Sequence, residues 1–247
     1  MALPVYLAMT AAEVQGCQEL PRHMAWMACH FSSYGAGLSN LPHTLPPDSL
    51  LILNDRIPLQ GHDPQLICRQ LEELAEQVSP AGLLLDFQRP ENPETIELIH
   101  AIALPCPIAV TEAYAKHTDC AVFLDAPRAY HSLQTAAGRW KGRQLWLELS
   151  TGHGTVTVTK DGSLYEPETP FPDGLPVHRE EKLHCSYCIE KQPDQVRFHF
   201  RRTADDLTSL LTEAQSLGIA HAIGLYQELA QFIEPFNNAQ SLKEASF

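Results

Sequence analysis

The chain has 247 residues, 44% of them apolar, and its 17 basic against 30 acidic side chains give a formal charge of −13. That length buries a full core in one α/β barrel as readily as in two small domains, and the single-domain reading is preferred. With no run of Lys or Arg, the acidic excess repels polyanions, so nucleic acid and anionic membrane surfaces are excluded as expected partners.

The first apolar run, residues 5–9, is too short for a signal-peptide core or a membrane span, and a soluble, cytoplasmic protein is expected. A second run at 24–31 is followed over 35–47 by a stretch rich in Gly, Pro, Ser and Asn, which replaces a helix. After the third run, 50–53, Asp63-Pro64 supplies a cap and a first-turn proline, and Ile67, Leu71, Leu74 and Val78 then repeat at helical spacing. The fourth run, 82–87, precedes Asn92-Pro93-Glu94, which opens a helix carrying Ile96, Ile99 and Ala103. Runs at 108–110 and 121–124 give the fifth and sixth strands, with too few residues at 116–119 for a helix between them, and 145–149 gives the seventh.

Between 151 and 202 the pattern changes. Residues 155–159 alternate, Asp161-Gly162 makes a hairpin turn, and 184–189 can pair with 195–200, which predicts an antiparallel flap beside the barrel mouth. Thr203 with Asp206 approximates a capping box before Leu207, Leu210, Leu211, Ala214 and Leu217, Gly218 stops that helix, and 220–226 is the eighth strand. Strand and capped helix in alternation argue for right-handed βαβ units and a parallel sheet. The expected fold is therefore α/β: an irregular (β/α)8 TIM-like barrel over 1–235, some helices missing, with a β-hairpin insertion at 151–202 and a tail at 236–247.

Function is read from Ala81-Gly82-Leu83-Leu84-Leu85-Asp86-Phe87-Gln88, a buried parallel strand that ends in two polar groups. Alternation puts Leu84, Asp86 and Gln88 on one face, and the carboxyl end of a barrel strand is where chemistry sits. These eight positions resemble the D-G-x-D-x-D-x-E signature of the family-18 glycoside hydrolases, chitinase-like barrels that include spore-cortex hydrolases. Gly82 and Asp86 match, Ala81 and Leu84 replace two aspartates, and Gln88 stands where the family has its proton-donating glutamate. Phe31-Ser32-Ser33-Tyr34 with Gly37-Leu38, the run from Leu50 to Asn54, and the stretch from His184 through Val196-Arg197-Phe198 into the Thr203 helix are also similar to the family; Tyr226 stands near where it usually has Trp.

The resemblance implies substrate-assisted hydrolysis of an N-acetylhexosamine sugar, with the missing glutamate as acid. An amide gives up no proton near neutral pH, and positioned acid catalysis is worth about 10²–10⁴-fold. Asp86 and Gln88 are thus expected to bind sugar as a floor, with Tyr114, Asp125, Tyr226 and Glu228 as walls, and with little or no family-type hydrolysis, unless Asp86 and Gln88 only satisfy each other and nearby backbone groups in a vestigial site. Tyr114 is read as sharing a face with Glu112 at the end of the fifth strand, and Tyr226 with Glu228 on the eighth, while Asp125 and Glu148 end the sixth and seventh.

Two other readings stand beside this one. The acid has moved to Glu112 or Glu148, making an active hydrolase, unless Glu112 is only an ion-pair partner of Arg89 or Arg128; or the barrel binds no ligand and docks a protein through the flap. Trp26, Tyr114, Trp146 and Tyr226 are drawn either as sugar-stacking rings over the mouth or as core. His30, Asn54, Asp55, Glu112 and Asp125 offer metal-ligating atoms, but no H-x-H or H-x-x-E-H spacing supports a site, so neither metal nor cofactor is expected. Seven scattered cysteines suit a reducing compartment, and Cys185-Ser186-Tyr187-Cys188 beside His184 is a lone C-x-x-C whose thiols point to opposite faces of a strand.

Overall fold

The computed structural model describes residues 3–127, 131–167 and 169–232. In chain order its elements are β1 (Val5–Met9), α1 (Ala11–Gly16), β2 (Met24–Phe31), β3 (Leu38–Ser39), β4 (Leu50–Asn54), α2 (Pro64–Val78), β5 (Gly82–Asp86), α3 (Pro93–Ala101), β6 (Ile108–Thr111), α4 (Glu112–Ala115), β7 (Ala121–Leu124), α5 (Leu133–Arg139) and β8 (Leu145–Glu148). Then come β9 (Gly154–Thr159), β10 (Gly162–Pro167), β11 (Val177–Glu180), β12 (Cys185–Gln192), β13 (Gln195–Arg201), α6 (Ala204–Ser216) and β14 (His221–Leu225). The expected tail at 236–247 lies outside the described residues.

Among the described residues, eight parallel strands run in the order β1, β2, β4, β5, β6, β7, β8, β14, and the pairing of β1 with both β2 and β14 closes them into a barrel. Closure sorts the side chains. Tyr6, Ala25, Ile52, Leu84, Phe123 and Trp146 form an interior cluster, while their neighbours Leu7, Leu53, Leu83, Leu85, Val122 and Leu147 pack outward against the helices.

The helices expected from periodicity are α2, α3 and α6. Asp63 caps α2 through its side chain, Pro64 fills the first turn, and Ser79 in the left-handed region ends it. Thr203 and Asp206 form a true capping box on α6, and Gly218 follows at positive φ. Three shorter helices were missed, each for a local reason. α1 buries no side chain and is made by the Thr10 and Glu13 capping box, α5 is seven residues capped by Ser132, and α4 is one turn that starts where β6 stops.

Between β8 and α6 the insertion is larger than a hairpin: a five-stranded antiparallel sheet in the order β10, β9, β13, β12, β11. Its predicted pairings are present, with β12 against β13 and the turn at Asp161 joining β9 to β10. Cys188 pairs with His199, and Cys185 with Glu180. The buried Arg202 ties this sheet to the barrel, donating from Nη1 to Ser150 O at 3.3 Å and from Nη2 to Leu183 O at 3.2 Å and to Pro127 O. No helix among the described residues is long and apolar enough to cross a membrane.

Gly82, the motif glycine, has a packing role. A Cβ there would sit 2.7 Å from Trp146 Cη2 and 3.1 Å from Pro107 O, so the indole lies across the start of β5. Gly82→Ala is expected to cost about 1–3 kcal/mol by overpacking, read as a lower urea midpoint at unchanged slope.

Candidate functional site at the barrel mouth

Leu84 belongs to the barrel interior, so Asp86, two residues on, enters the next layer toward the carboxyl end. Its register partner there is Asn54 of β4. The Asn54 amide donates to Met27 O at 3.3 Å and Cys29 O at 3.0 Å, where the pairing of β2 with β4 shifts register, and so fixes the irregular end of β2. Trp146 places Glu148 in the same way on the facing wall, and the Glu148 carboxylate accepts from Ala126 N at 2.9 Å. Thr111, inward on β6, donates its hydroxyl to Phe87 O at 2.9 Å.

Beyond Phe87 the chain is held by Asp55. Its two carboxylate oxygens accept from Gln88 N at 3.0 Å and Arg89 N at 2.8 Å, while the Arg89 guanidinium returns to Asp55 O at 2.7 Å and Arg56 O at 2.9 Å. This reciprocal clamp sets Gln88 at the rim, where its amide Nε2 donates to Asp86 Oδ1 at 2.6 Å. Burial pushes the Asp86 carboxyl above the ordinary range; the Gln88 hydrogen bond works against that rise, and the charges of Glu148 and Asp55 add to it.

The other expected walls separate from this centre. β6 ends at Thr111, so Glu112 opens α4 instead of ending a strand; its carboxylate accepts from Trp140 Nε1 at 2.9 Å and faces Arg139 at 3.5 Å. Glu112 is therefore an ion-pair partner toward α5, though not of Arg89, and Arg128 lies outside the described residues. Tyr114 is fully buried in the outer core, edge-on to Phe87 at 6.0 Å, with its hydroxyl on Arg89 O at 3.3 Å; it is no mouth wall.

β14 ends at Leu225, so Tyr226 and Glu228 share no strand face. Tyr226 packs on the outer core with its hydroxyl 3.7 Å from Cys17 Sγ. Glu228 accepts from Ser150 Oγ at 3.2 Å and from Thr151 N and Oγ1 at 3.1 Å, fastening the base of the insertion. Asp125 is exposed just beyond β7. Trp26 points outward and donates to Asn40 O, and Trp146 is sealed inside the barrel, so neither ring lies over the mouth. His30 hydrogen-bonds Asn40 and Phe31 O, and no group of three or more His, Cys, Asp or Glu residues among those described could hold a metal ion.

Sequence reasoning missed the Asp55 clamp. Its signal was the Asn54-Asp55 pair directly after the third strand, a polar pair where a barrel rim begins. It named Tyr34 only as part of the loop that leaves β2 and gave it no role, and that ring is fully exposed.

No protein-family model matches the sequence, and the search of curated proteins found no match. The fold does match solved structures. A family-18 N-acetylglucosaminidase from Paenibacillus barengoltzii aligns with TM-score 0.62 at 9% identity over 94% of this chain and 98% of that one. A class V chitinase mutant from Cycas revoluta, in complex with (GlcNAc)3, gives 0.59 at 10% identity over 94% and 97%. The spore cortex-lytic enzyme SleL of Bacillus cereus gives 0.53 at 8% identity over 90% and 70%. The chain thus has the irregular (β/α)8 barrel fold seen in the family-18 chitinases.

Proposed function

We propose that this barrel binds an oligosaccharide containing N-acetylhexosamine at its mouth and does not perform the acid-catalysed hydrolysis of the enzymes it resembles. The observation that carries the reading is the 2.6 Å contact between Gln88 Nε2 and Asp86 Oδ1. A carboxylate and a carboxamide joined this way still offer acceptors and one amide hydrogen to a sugar, yet hold no proton donor on the amide side. Support comes from barrels of this fold seen with (GlcNAc)3, and from a chitinase variant carrying a Glu-to-Gln exchange in complex with (GlcNAc)4. Asp86 accepts from an acetamido or hydroxyl group, Gln88 and Asn54 flank it, Glu148 closes the opposite wall, and Asp125 edges the rim.

A second reading, hydrolysis with Glu148 as the moved acid, is favoured by one fact: Glu148 stands close enough to Asp86 for its charge to raise the Asp86 carboxyl. Two carboxyls at one mouth are the raw material of a glycosidase.

Calorimetry with the N-acetylglucosamine tetramer separates these readings. Asp86→Ala is expected to weaken binding at least about tenfold, and equal heat from both proteins refutes the site. Binding should also weaken on acidification through the Asp86 pKa, which lies above 3.8, because protonation removes the acceptor. Gln88→Glu is expected to release slow, measurable N-acetylglucosamine. Cleavage by the wild type that Glu148→Gln abolishes establishes the second reading instead.

A further inference from the structure

The opposite, N-terminal end of the barrel holds a second group of polar residues. Tyr6 of β1 points into the ring and is 3% exposed. Its ring lies 5.3 Å from His23, on the segment entering β2, and 5.3 Å from His221, the first residue of β14. The His221 ring in turn stands edge-on to Trp146, at 4.7 Å and 86°. His23 Nδ1, His221 Nδ1 and Trp146 Nε1 are all buried and have no hydrogen-bond partner among the described residues.

Two imidazoles in such a place favour the neutral state. Neutral, each forgoes a hydrogen bond at Nδ1. Cationic, His23 sets a charge beside Tyr6, and His221 sets one beside Tyr6 and Trp146, each half-buried and each near the other's charge. The charged groups that face the pair are few: Arg22 opposes a cationic His23, Asp48, ahead of β4, favours it, and the His23 charge opposes a cationic His221. Tyr6 supplies no anion, since burial, then Asp48, pushes its phenol up to about 12.

We propose that the base of the barrel is a proton-sensitive plug, closed while His23 and His221 are neutral and loosened along the β1 and β14 pairing when they are protonated. Burial, helped by the His23 charge, lowers His221 from 6.5 to about 4, and burial also lowers His23. The unfolded chain therefore takes up the proton first. The contribution of His221 to stability is complete above the ordinary imidazole value and is lost as pH falls from 6.5 toward 4. The effect is local, because Val5, Tyr6 and Leu7 pair directly with Ala222, Ile223 and Gly224 beside these rings.

Hydrogen exchange, corrected for intrinsic rates, tests this at pH 7.5 and pH 5. In the wild type, opening of the amides of β1 and β14 should rise about tenfold more than that of β5 and β6 on going to the lower pH. In His221→Phe, which keeps an aromatic ring and removes the larger of the two titrations, that excess should shrink to what His23 alone supplies. An equal rise across all four strands, or the same local rise in His221→Phe, overturns the proposal. Should His221→Phe not fold, NMR titration of the wild-type His221 ring decides: a midpoint below about 5.5 supports the plug, and one at or above it refutes it.

Discussion

Ring closure is the constraint on which everything else rests. Because β1 bonds to β2 on one side and β14 on the other, no barrel strand has a free edge, and every barrel strand must send alternate side chains into one shared interior. Leu84, Ile52, Ala109 and Trp146 fill that interior, and the same alternation lifts Asp86, Asn54, Thr111 and Glu148 into its last layer. The mouth gathers four polar side chains from β4, β5, β6 and β8 with no long-range recognition among them. Each is there because an apolar residue two positions earlier is buried.

Alternation brings Asp86 to the rim but cannot bring Gln88, which lies beyond the strand. That task falls to Asp55, whose carboxylate holds the backbone of Gln88 and Arg89 as an N-cap carboxylate holds the first turn of a helix. The Arg89 guanidinium closes the loop by donating to backbone carbonyls at 55 and 56, so its charge is spent on structure. Two adjacent loops are thereby locked into one rim, and the glutamine amide reaches Asp86 from a fixed backbone.

The eight barrel strands were legible because buried parallel strands read as short apolar runs, and α2, α3 and α6 because caps and apolar spacing agreed. The reading failed where a strand stopped one residue early. Glu112 and Tyr114 sit two apart, a spacing that shares a face only while the backbone stays extended; Thr111 ends β6, and one helical turn sends Glu112 to Trp140 and Tyr114 under Phe87. Tyr226 and Glu228 repeat the error after Leu225. The apolar pattern does not mark these stops, since β7 runs on to Leu124 beyond the partner of Thr111 and β1 to Met9 beyond the partner of Leu225. The place of Asp86 was more robust, because it needs only that β5 reach its last residue; the Gln88 contact needs the Asp55 clamp as well.

The same layering keeps the two polar ends of the barrel apart. Leu50, Ile52, Leu84, Ala109 and Phe123 occupy the space between the acidic mouth and the histidine base, so neither set of polar groups can relay a proton to the other through side-chain hydrogen bonds. What crosses that apolar middle is the backbone: β5 runs from Gly82, over which the Trp146 indole lies, to Asp86, and β8 from Trp146 toward Glu148. A base that loosens between β1 and β14 would act on the mouth through strand positions, and first through Glu148, because β14 pairs with β8 and sets Ile223 beside Glu148. Asp86 on β5 lies three strands from β1 and four from β14, and is with Thr111 of β6 the part of the site best insulated from such a change.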